Sequence, residues 1–196
     1  MEKGLKMGTM IGDKKSDIVN QLSSAERRWF AVYTKYKCEK FVADHLSKKN
    51  IEVYVPLVSK TKKYLKKIKH YETPLINCYV FVHITKDQYV PTLETEYVMK
   101  FLRQGKDLLA IPEEEIQILK RVAGDVQEIS PISKNLYPLG TEVEVISGQM
   151  AGLKGFIISK SGKRGFVIRL TNLGFELEIS MDMQLLKPIH LVSISV

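Results

Sequence analysis

Three glycines within eight positions, Gly148, Gly152 and Gly155, constrain the fold of this chain more than any other feature. They lie in the stretch Gly140-Thr-Glu-Val-Glu-Val-Ile-Ser-Gly-Gln-Met-Ala-Gly-Leu-Lys-Gly155-Phe-Ile-Ile-Ser159. Val143 and Val145 alternate with glutamates ahead of the glycines, and Phe156-Ile-Ile-Ser159 follows them at once. Glycine reaches positive φ at the lowest steric cost, so the pattern predicts two strands joined by a tight loop whose shape the backbone sets.

From Tyr137 onward the same texture continues. Strands are predicted at Glu142–Ile146, Phe156–Lys160, Gly165–Leu170, Phe175–Ile179 and Gln184–Lys187, with Gly162 and Gly174 marking turns. Short strands with close turn signals point to a small β-barrel over residues 137–190.

The first half reads differently. Trp29-Phe-Ala-Val-Tyr-Thr34 is a predicted strand. Cys38, Phe41, Val42, His45 and Leu46 recur at helical spacing in a pattern that ends at Asn50. Ile51–Val55 is a second strand, ended by Pro56. The lysine run from Lys60 to Lys69 reads as an exposed hairpin or a mobile loop. Pro74 then begins a long strand, Leu75–Ile84. A short helix near 86–94, a strand over 98–102 and a helix over 113–123 complete the order, with Pro112 in the last helix's first turn and Glu113–Glu115 at its positive end. The expected class is therefore α+β: an N-terminal α/β sandwich with an antiparallel sheet over residues 27–123, a linker over 124–136, and the C-terminal barrel. Residues 1–26 read as a flexible leader.

Charge divides the same way. Residues 27–123 hold nineteen Lys and Arg against eleven Asp and Glu, a balance of +8 that equals the net charge of the whole chain. Residues 137–190 hold six against five. A one-sided basic excess suits a polyanion-facing domain joined to a neutral one, and equally a merely solvated basic surface. No run of about 18 apolar residues is present to span a membrane. Lys14, Lys15 and Asp17 interrupt any apolar signal core. Two cysteines without paired spacing, Cys38 and Cys78, fit a reducing cytoplasm.

The glycine-framed loop resembles the KOW motif, found in small SH3-like barrels that dock on nucleic-acid machines. Taken with Trp29-Phe-Ala-Val-Tyr-Thr34, the Glu39 to Leu46 helix, Cys78-Tyr-Val-Phe-Val82 and Ile111-Pro112 opening a helix, the chain resembles the NusG family of transcription elongation and antitermination factors over residues 28–188. The spacing of Trp29, Tyr33, Lys35 and His45 is most similar to the specialised RfaH-type and UpxY-type paralogues, some of which act on long polysaccharide operons. One departure stands out: the basic residue of that subgroup after its second helix falls near Glu96, which is acidic.

Four sets of residues carry candidate function. Tyr79 and Phe81 share one face of a strand, which fits core packing or an exposed surface. The resemblance implies that they form, with Tyr33, an apolar pocket gripping the clamp helices of RNA polymerase. Lys35, Tyr36, Lys37 and His45 place cations beside an aromatic ring, a combination that holds phosphate and stacks an unpaired base, or that simply makes a solvated loop. The resemblance assigns this surface to the non-template DNA strand of the transcription bubble. Lys62, Lys63, Lys66 and Lys67 give affinity for phosphates without sequence reading, or form a solvated face. In the family the corresponding loop lies near upstream DNA. Met150 and Leu153, at the tip of a glycine-framed turn, read as poor core candidates, although Met150 packing into the barrel mouth is the competing reading. The resemblance implies contacts there with a ribosomal protein or the termination factor Rho.

An enzyme is not expected. Cys38 and His45 sit on one helix face but about 10 Å apart by helical rise, too far for a nucleophile and its base. No Cys-x-x-Cys pair, His-Glu-x-x-His motif or phosphate-cradling glycine loop is present, so neither cofactor nor metal is expected. The competing function is a KOW-type RNA-binding protein of the ribosome or its assembly, which accounts for the barrel and the basicity but not for the upstream domain.

Overall fold

The computed structural model describes residues 19–64, 67–125, 137–160, 163–170, 175–179, 181 and 183–189. The N-terminal half contains β1 (Arg28–Thr34), α1 (Glu39–Lys48), β2 (Glu52–Tyr54), β3 (Leu57–Tyr64), β4 (Lys67–Pro74), β5 (Tyr79–Ile84), α2 (Tyr89–Leu93), β6 (Val98–Phe101) and α3 (Glu113–Asp125). A 3-10 turn at Lys86–Gln88 leads into α2. Four strands form one antiparallel sheet in the order β2-β5-β1-β6, while β3 and β4 pair only with each other.

The central strand β1 is apolar on both faces because both are covered. Phe30 and Val32 face Val80, Val82 and Ile84 of β5 and the α1 residues Val42 and Leu46, all fully buried. Trp29, Ala31 and Phe81 belong to the other buried cluster, with Ile116, Leu119 and Val122 of α3. The sheet is thus the middle layer between α1 and α3. Full burial of each such Leu, Ile or Phe side chain is worth about 1.5–3 kcal/mol. Trp29 also donates its indole N–H to Glu113 at 2.6 Å, tying β1 to the start of α3.

Two differences from the sequence reading lie in this half. The long strand expected from Leu75 begins only at Tyr79, because Cys78 takes φ +64° and breaks the extended backbone. Residues 19–26, assigned to the flexible leader, are anchored. Gln21 N–H donates to the Leu108 carbonyl at 3.0 Å, Leu108 N–H to that of Val19 at 2.9 Å, and Ala110 N–H to the Gln21 side chain at 2.6 Å. These are mainly backbone partnerships, which leave no periodic apolar signature. Residues 1–18, and 126–136 of the expected linker, lie outside the described residues.

The C-terminal half contains β7 (Glu142–Val145), β8 (Lys154–Lys160), β9 (Lys163–Leu170), β10 (Phe175–Ile179) and β11 (Leu186–Pro188). They form one antiparallel sheet ordered β10-β9-β8-β7-β11. Val143, Val145, Ile157, Phe166, Ile168 and Leu170 are buried on it.

The three glycines divide their work. Gly148 and Gly152 adopt φ +80° and +83°, the left-handed turn positions anticipated for them. Gly155 does not. It sits in β8, where a β-carbon would lie 2.2 Å from the Val167 carbonyl oxygen and 2.5 Å from the Phe166 ring. Glycine is needed there for close approach, not for turning. Gly155→Ala is therefore expected to destabilise the C-terminal sheet by about 3 kcal/mol, at the upper end for overpacked sites. A urea titration of that sheet's unfolding measures it, and an unshifted midpoint would contradict the packing account.

Candidate functional site

One end of the N-terminal sheet gathers most of the candidate residues. The antiparallel register of β1 and β5 sets Tyr33 opposite Tyr79 and Ala31 opposite Phe81. The Tyr33 and Tyr79 rings meet edge to face at 5.3 Å, and both are half-buried. Lys100 Nζ lies 6.0 Å from the centre of the Tyr33 ring. Burial, followed by the neighbouring Tyr33 and Cys78, raises the Tyr79 pKa above the ordinary phenol value, so its hydroxyl stays protonated. Burial alone pushes Tyr54 to about 12. Phe81 corrects the expectation made for it. It is fully buried beneath the tyrosines and inside the α3 cluster, so it supports the surface from below and does not line it. Alternation along β5 gives Tyr79 and Phe81 the same face, but Phe81 lies within the buried cluster and Tyr79 packs against its border.

The Lys35–Lys37 loop is held at the same end by three non-glycine residues at positive φ. Lys37 takes φ +65°, Cys78 +64° and Tyr97 +66°. Their backbones are interlocked: Thr34 N–H donates to the Cys78 carbonyl at 2.8 Å, and Lys35 N–H to that of Tyr97 at 3.0 Å. Cys78 N–H donates to the buried carboxylate of Glu39 at 2.7 Å, fastening β5 to the first turn of α1. Side chains are uncommon in this backbone region, and such positions cost about 1–3 kcal/mol each and concentrate at functional sites.

Around this frame Tyr36 is 62% exposed, with Lys37 Nζ 5.3 Å from its ring centre. Lys35 Nζ lies 5.5 Å from the Tyr97 ring centre. His45 Nδ1 is 2.9 Å from the Phe41 carbonyl oxygen. A carbonyl only accepts, so Nδ1 carries the proton of the neutral ring and Nε2 is the acceptor nitrogen. Lys35, Tyr36, Lys37 and His45 are thus brought to one edge. Sequence reasoning missed Phe41 and Tyr97, which join them. Phe41 belongs to the helical stripe by spacing, yet of that stripe only Val42 and Leu46 enter the core, with Cys38 partly buried against it. Glu96, the acidic departure, neighbours the Tyr97 hydroxyl and raises its pKa.

The lysine run forms a two-stranded ribbon with both faces exposed over its outer part. Directly paired residues point to the same side, and the register pairs Lys60 with Tyr71 and Lys62 with Lys69. Counting in twos places Lys60, Lys62, Lys67, Lys69 and Tyr71 on one face. Lys63 pairs with Ile68 and lies on the other, with Thr61 and His70. The set expected from sequence is corrected accordingly: Lys62 and Lys67 belong together, Lys63 does not join them, and Lys66 lies outside the described residues. Lys40 of α1 bonds Glu72 of β4 at 2.9 Å, near the ribbon's base.

Met150 and Leu153 also depart from expectation. Each is 5% exposed and belongs to the buried cluster that includes Ile116, Leu119 and Val122 of α3. Arg121 of α3 holds the backbone of the same loop. Its guanidinium donates to the Gln149 carbonyl at 3.0 Å through Nε and through Nη2, and to the Ala151 carbonyl. The tight turn leaves these carbonyls without strand partners, and the arginine fork fits them.

Comparison with known proteins follows the same division. Residues 27–120 match the family described as transcription termination factor NusG. No curated protein matches the chain. Among solved structures, one described as domain interaction in Thermotoga maritima NusG is 19% identical, covers 86% of this chain and 100% of its own, and superposes with a TM-score of 0.58. At that identity it supports the fold: an N-terminal α/β domain followed by an all-β antiparallel sheet. Two conformations of the MjSpt4:Spt5 complex are 19% and 20% identical, cover 82% of this chain and 97% and 96% of theirs, and have TM-scores of 0.28 and 0.29. Among the described residues no helix is long and apolar enough to cross a membrane.

Proposed function

We propose that the chain is a non-enzymatic transcription factor of NusG type, the family that residues 27–120 match, and that its N-terminal domain binds the clamp helices of RNA polymerase and keeps transcription processive. The observation that carries this reading is the half-buried Tyr33–Tyr79 pair. Two rings meet edge to face on the sheet, with the Tyr79 hydroxyl kept neutral, beside a cationic loop. Tyrosine suits such a surface because it offers a large apolar ring and a polar tip. Bridging the polymerase cleft opposes its opening at pauses, and no bond is made or broken.

The Lys35–Lys37 loop and His45 then face the displaced non-template strand, and the basic ribbon faces upstream DNA. The C-terminal domain offers a second partner, a ribosomal protein or Rho, once its loop leaves α3. Met150 and Leu153 reach that partner only after Arg121 releases the Gln149 and Ala151 carbonyls. The protein works in the cytoplasm.

Pull-down from lysate tests the central reading. Core polymerase is the expected catch. Ribosomal particles without polymerase would replace it with the RNA-binding alternative.

Within the family, the dense set of Lys35, Tyr36 and His45 favours a specialised RfaH- or UpxY-type factor for long operons, such as polysaccharide loci. Base contacts carry about 1–3 kcal/mol of discrimination each, whereas phosphate contacts mainly position. His45→Ala is expected to lower occupancy at the cognate operon about tenfold, within that range, and to leave polymerase pull-down unchanged. Genome-wide occupancy measures it, and even occupancy for both proteins would leave a general elongation factor.

A further inference from the structure

A cavity of about 440 Å3 lies at the start of β1, at the other end of that strand from the Lys35–Lys37 loop. Four parts of the chain line it: Gln21, the run Arg27-Arg28-Trp29, His83 of β5, and the 109–113 segment entering α3. Neither polymerase binding nor DNA binding, as placed above, makes use of it.

Its walls are fixed by partners of their own. Trp29 and His83 oppose each other in the β1–β5 register and stack with ring centres 4.8 Å apart and planes 13° apart. The Trp29 indole N–H is held by Glu113. His83 Nδ1 donates to the Glu52 carboxylate at 2.8 Å, because a carboxylate only accepts. Gln21 is held twice: its carbonyl accepts from Arg28 Nη1 at 3.1 Å, and its side-chain oxygen accepts from the Ala110 amide at 2.6 Å. The cavity is therefore formed before any ligand arrives.

The charged groups lining it differ in what they already hold. Arg28 is engaged by Glu26 and by the Gln21 carbonyl. Glu113 accepts from Trp29 on one oxygen and from Gln117 on the other, each at 2.6 Å. Arg27 is different: among the described residues it has neither a hydrogen bond nor an ion pair. Asp87 feels its charge, but that carboxylate accepts from the Thr85 hydroxyl. An unpaired arginine is ordinary on an open surface. Beside a preformed cavity whose 109–112 wall is Leu-Ala-Ile-Pro, it supplies the one polar anchor that orients a ligand in an otherwise apolar cleft.

Size and charge set the ligand class. Clefts for small molecules run from about 300 to 1,000 Å3, so this one suits a compact ligand. A guanidinium fork pairs with two oxygens of a carboxylate or a phosphate. We propose that the cavity binds a small organic anion, with Arg27 pairing its carboxylate or phosphate group and the 109–112 segment taking its apolar body. A polynucleotide fits less well, since Arg27 is the one uncommitted arginine in the lining and a neighbouring phosphate would find no second.

Trp29 is the sole tryptophan of the chain, so the cavity carries its own reporter. The full chain is titrated with phenyl phosphate, phenylacetate, inorganic phosphate and neutral benzyl alcohol, following Trp29 fluorescence and the indole N–H signal by NMR. At least one of the two aromatic anions should shift both signals and saturate in the millimolar range or below. The tighter of the two identifies the head group as phosphate or carboxylate. Benzyl alcohol lacks the charge and inorganic phosphate lacks the apolar body, so each should bind at least about tenfold more weakly. Arg27→Gln should weaken the preferred anion about tenfold, as loss of a charge-assisted hydrogen bond does, and Arg27→Lys should bind it more tightly than the glutamine variant. Arg27 is exposed, so neither variant disturbs packing.

Silence of both aromatic anions, equal binding of benzyl alcohol, or undiminished binding by Arg27→Gln would overturn the site. Inorganic phosphate binding as tightly as phenyl phosphate would also overturn it, leaving a surface anion contact. A DNA single strand that shifts both Trp29 signals at lower concentration than either aromatic anion, and loses that effect in Arg27→Gln, would give the cavity to nucleic acid instead.

Discussion

Tyr33→Ala combined with Tyr79→Ala abolishes capture of core polymerase while the protein still unfolds cooperatively; that is the expected result with the largest effect. Central aromatic anchors contribute about 2 kcal/mol or more each when truncated, roughly thirtyfold in affinity per residue. Both rings are half-buried at the sheet's end, so their removal opens no large hole in the core. Phe81→Ala provides the contrast. Phe81 is fully buried against α3, and its truncation should cost about 3–5 kcal/mol of folding stability. Paired binding and denaturation measurements separate these effects. Unchanged polymerase capture by a folded Tyr33/Tyr79 double variant would remove the aromatic pair from the interface.

The basic ribbon gives the second large effect. Replacing Lys60, Lys62, Lys67 and Lys69 with glutamine should weaken DNA binding evenly across sequences. The magnitude of the slope of log K against log salt should fall by up to about four, because each phosphate neutralised on duplex DNA contributes nearly one. Lys63→Gln alone should leave the slope in place, since Lys63 projects from the other face beside Ile68. This comparison tests the register as well as the charge. Equal effects from Lys63 and from any one of the four would show that the ribbon acts through total charge. An unchanged slope in the quadruple variant would reduce the run to a solvated surface.

The lysine run also shows where sequence reasoning stops. Its density announces a basic surface, but faces in a hairpin depend on which residues pair across it, and one step of register exchanges the two sides. The turn between β3 and β4 carries no Asn-Gly or Asp-Gly signal that would have set the pairing in advance.

Local patterns were enough to establish the α+β class, with an α/β sheet ahead of an all-β antiparallel sheet, but left the β3–β4 ribbon open between a hairpin and a loop. Alternation in Glu142–Val145, the helical spacing of Val42 and Leu46 and the positive-φ glycines Gly148 and Gly152 each act over a few residues, and the chain folds locally as they dictate. Tertiary structure decided which of several equivalent residues are covered. Phe81 is core because α3 crosses its end of the sheet, while Tyr79, two residues away, remains half-exposed. Met150 and Leu153 are buried in a cluster that joins β7, β8 and β9 to α3, and Arg121 of α3 reaches 28 positions along the chain to the carbonyl of Gln149 beside them. Phe41 joins Tyr97 because the end of β1 brings α1 beside the start of β6. Periodicity reports the shape of a segment from its own residues, but burial depends on a second segment, and nothing within the first encodes where that partner lies.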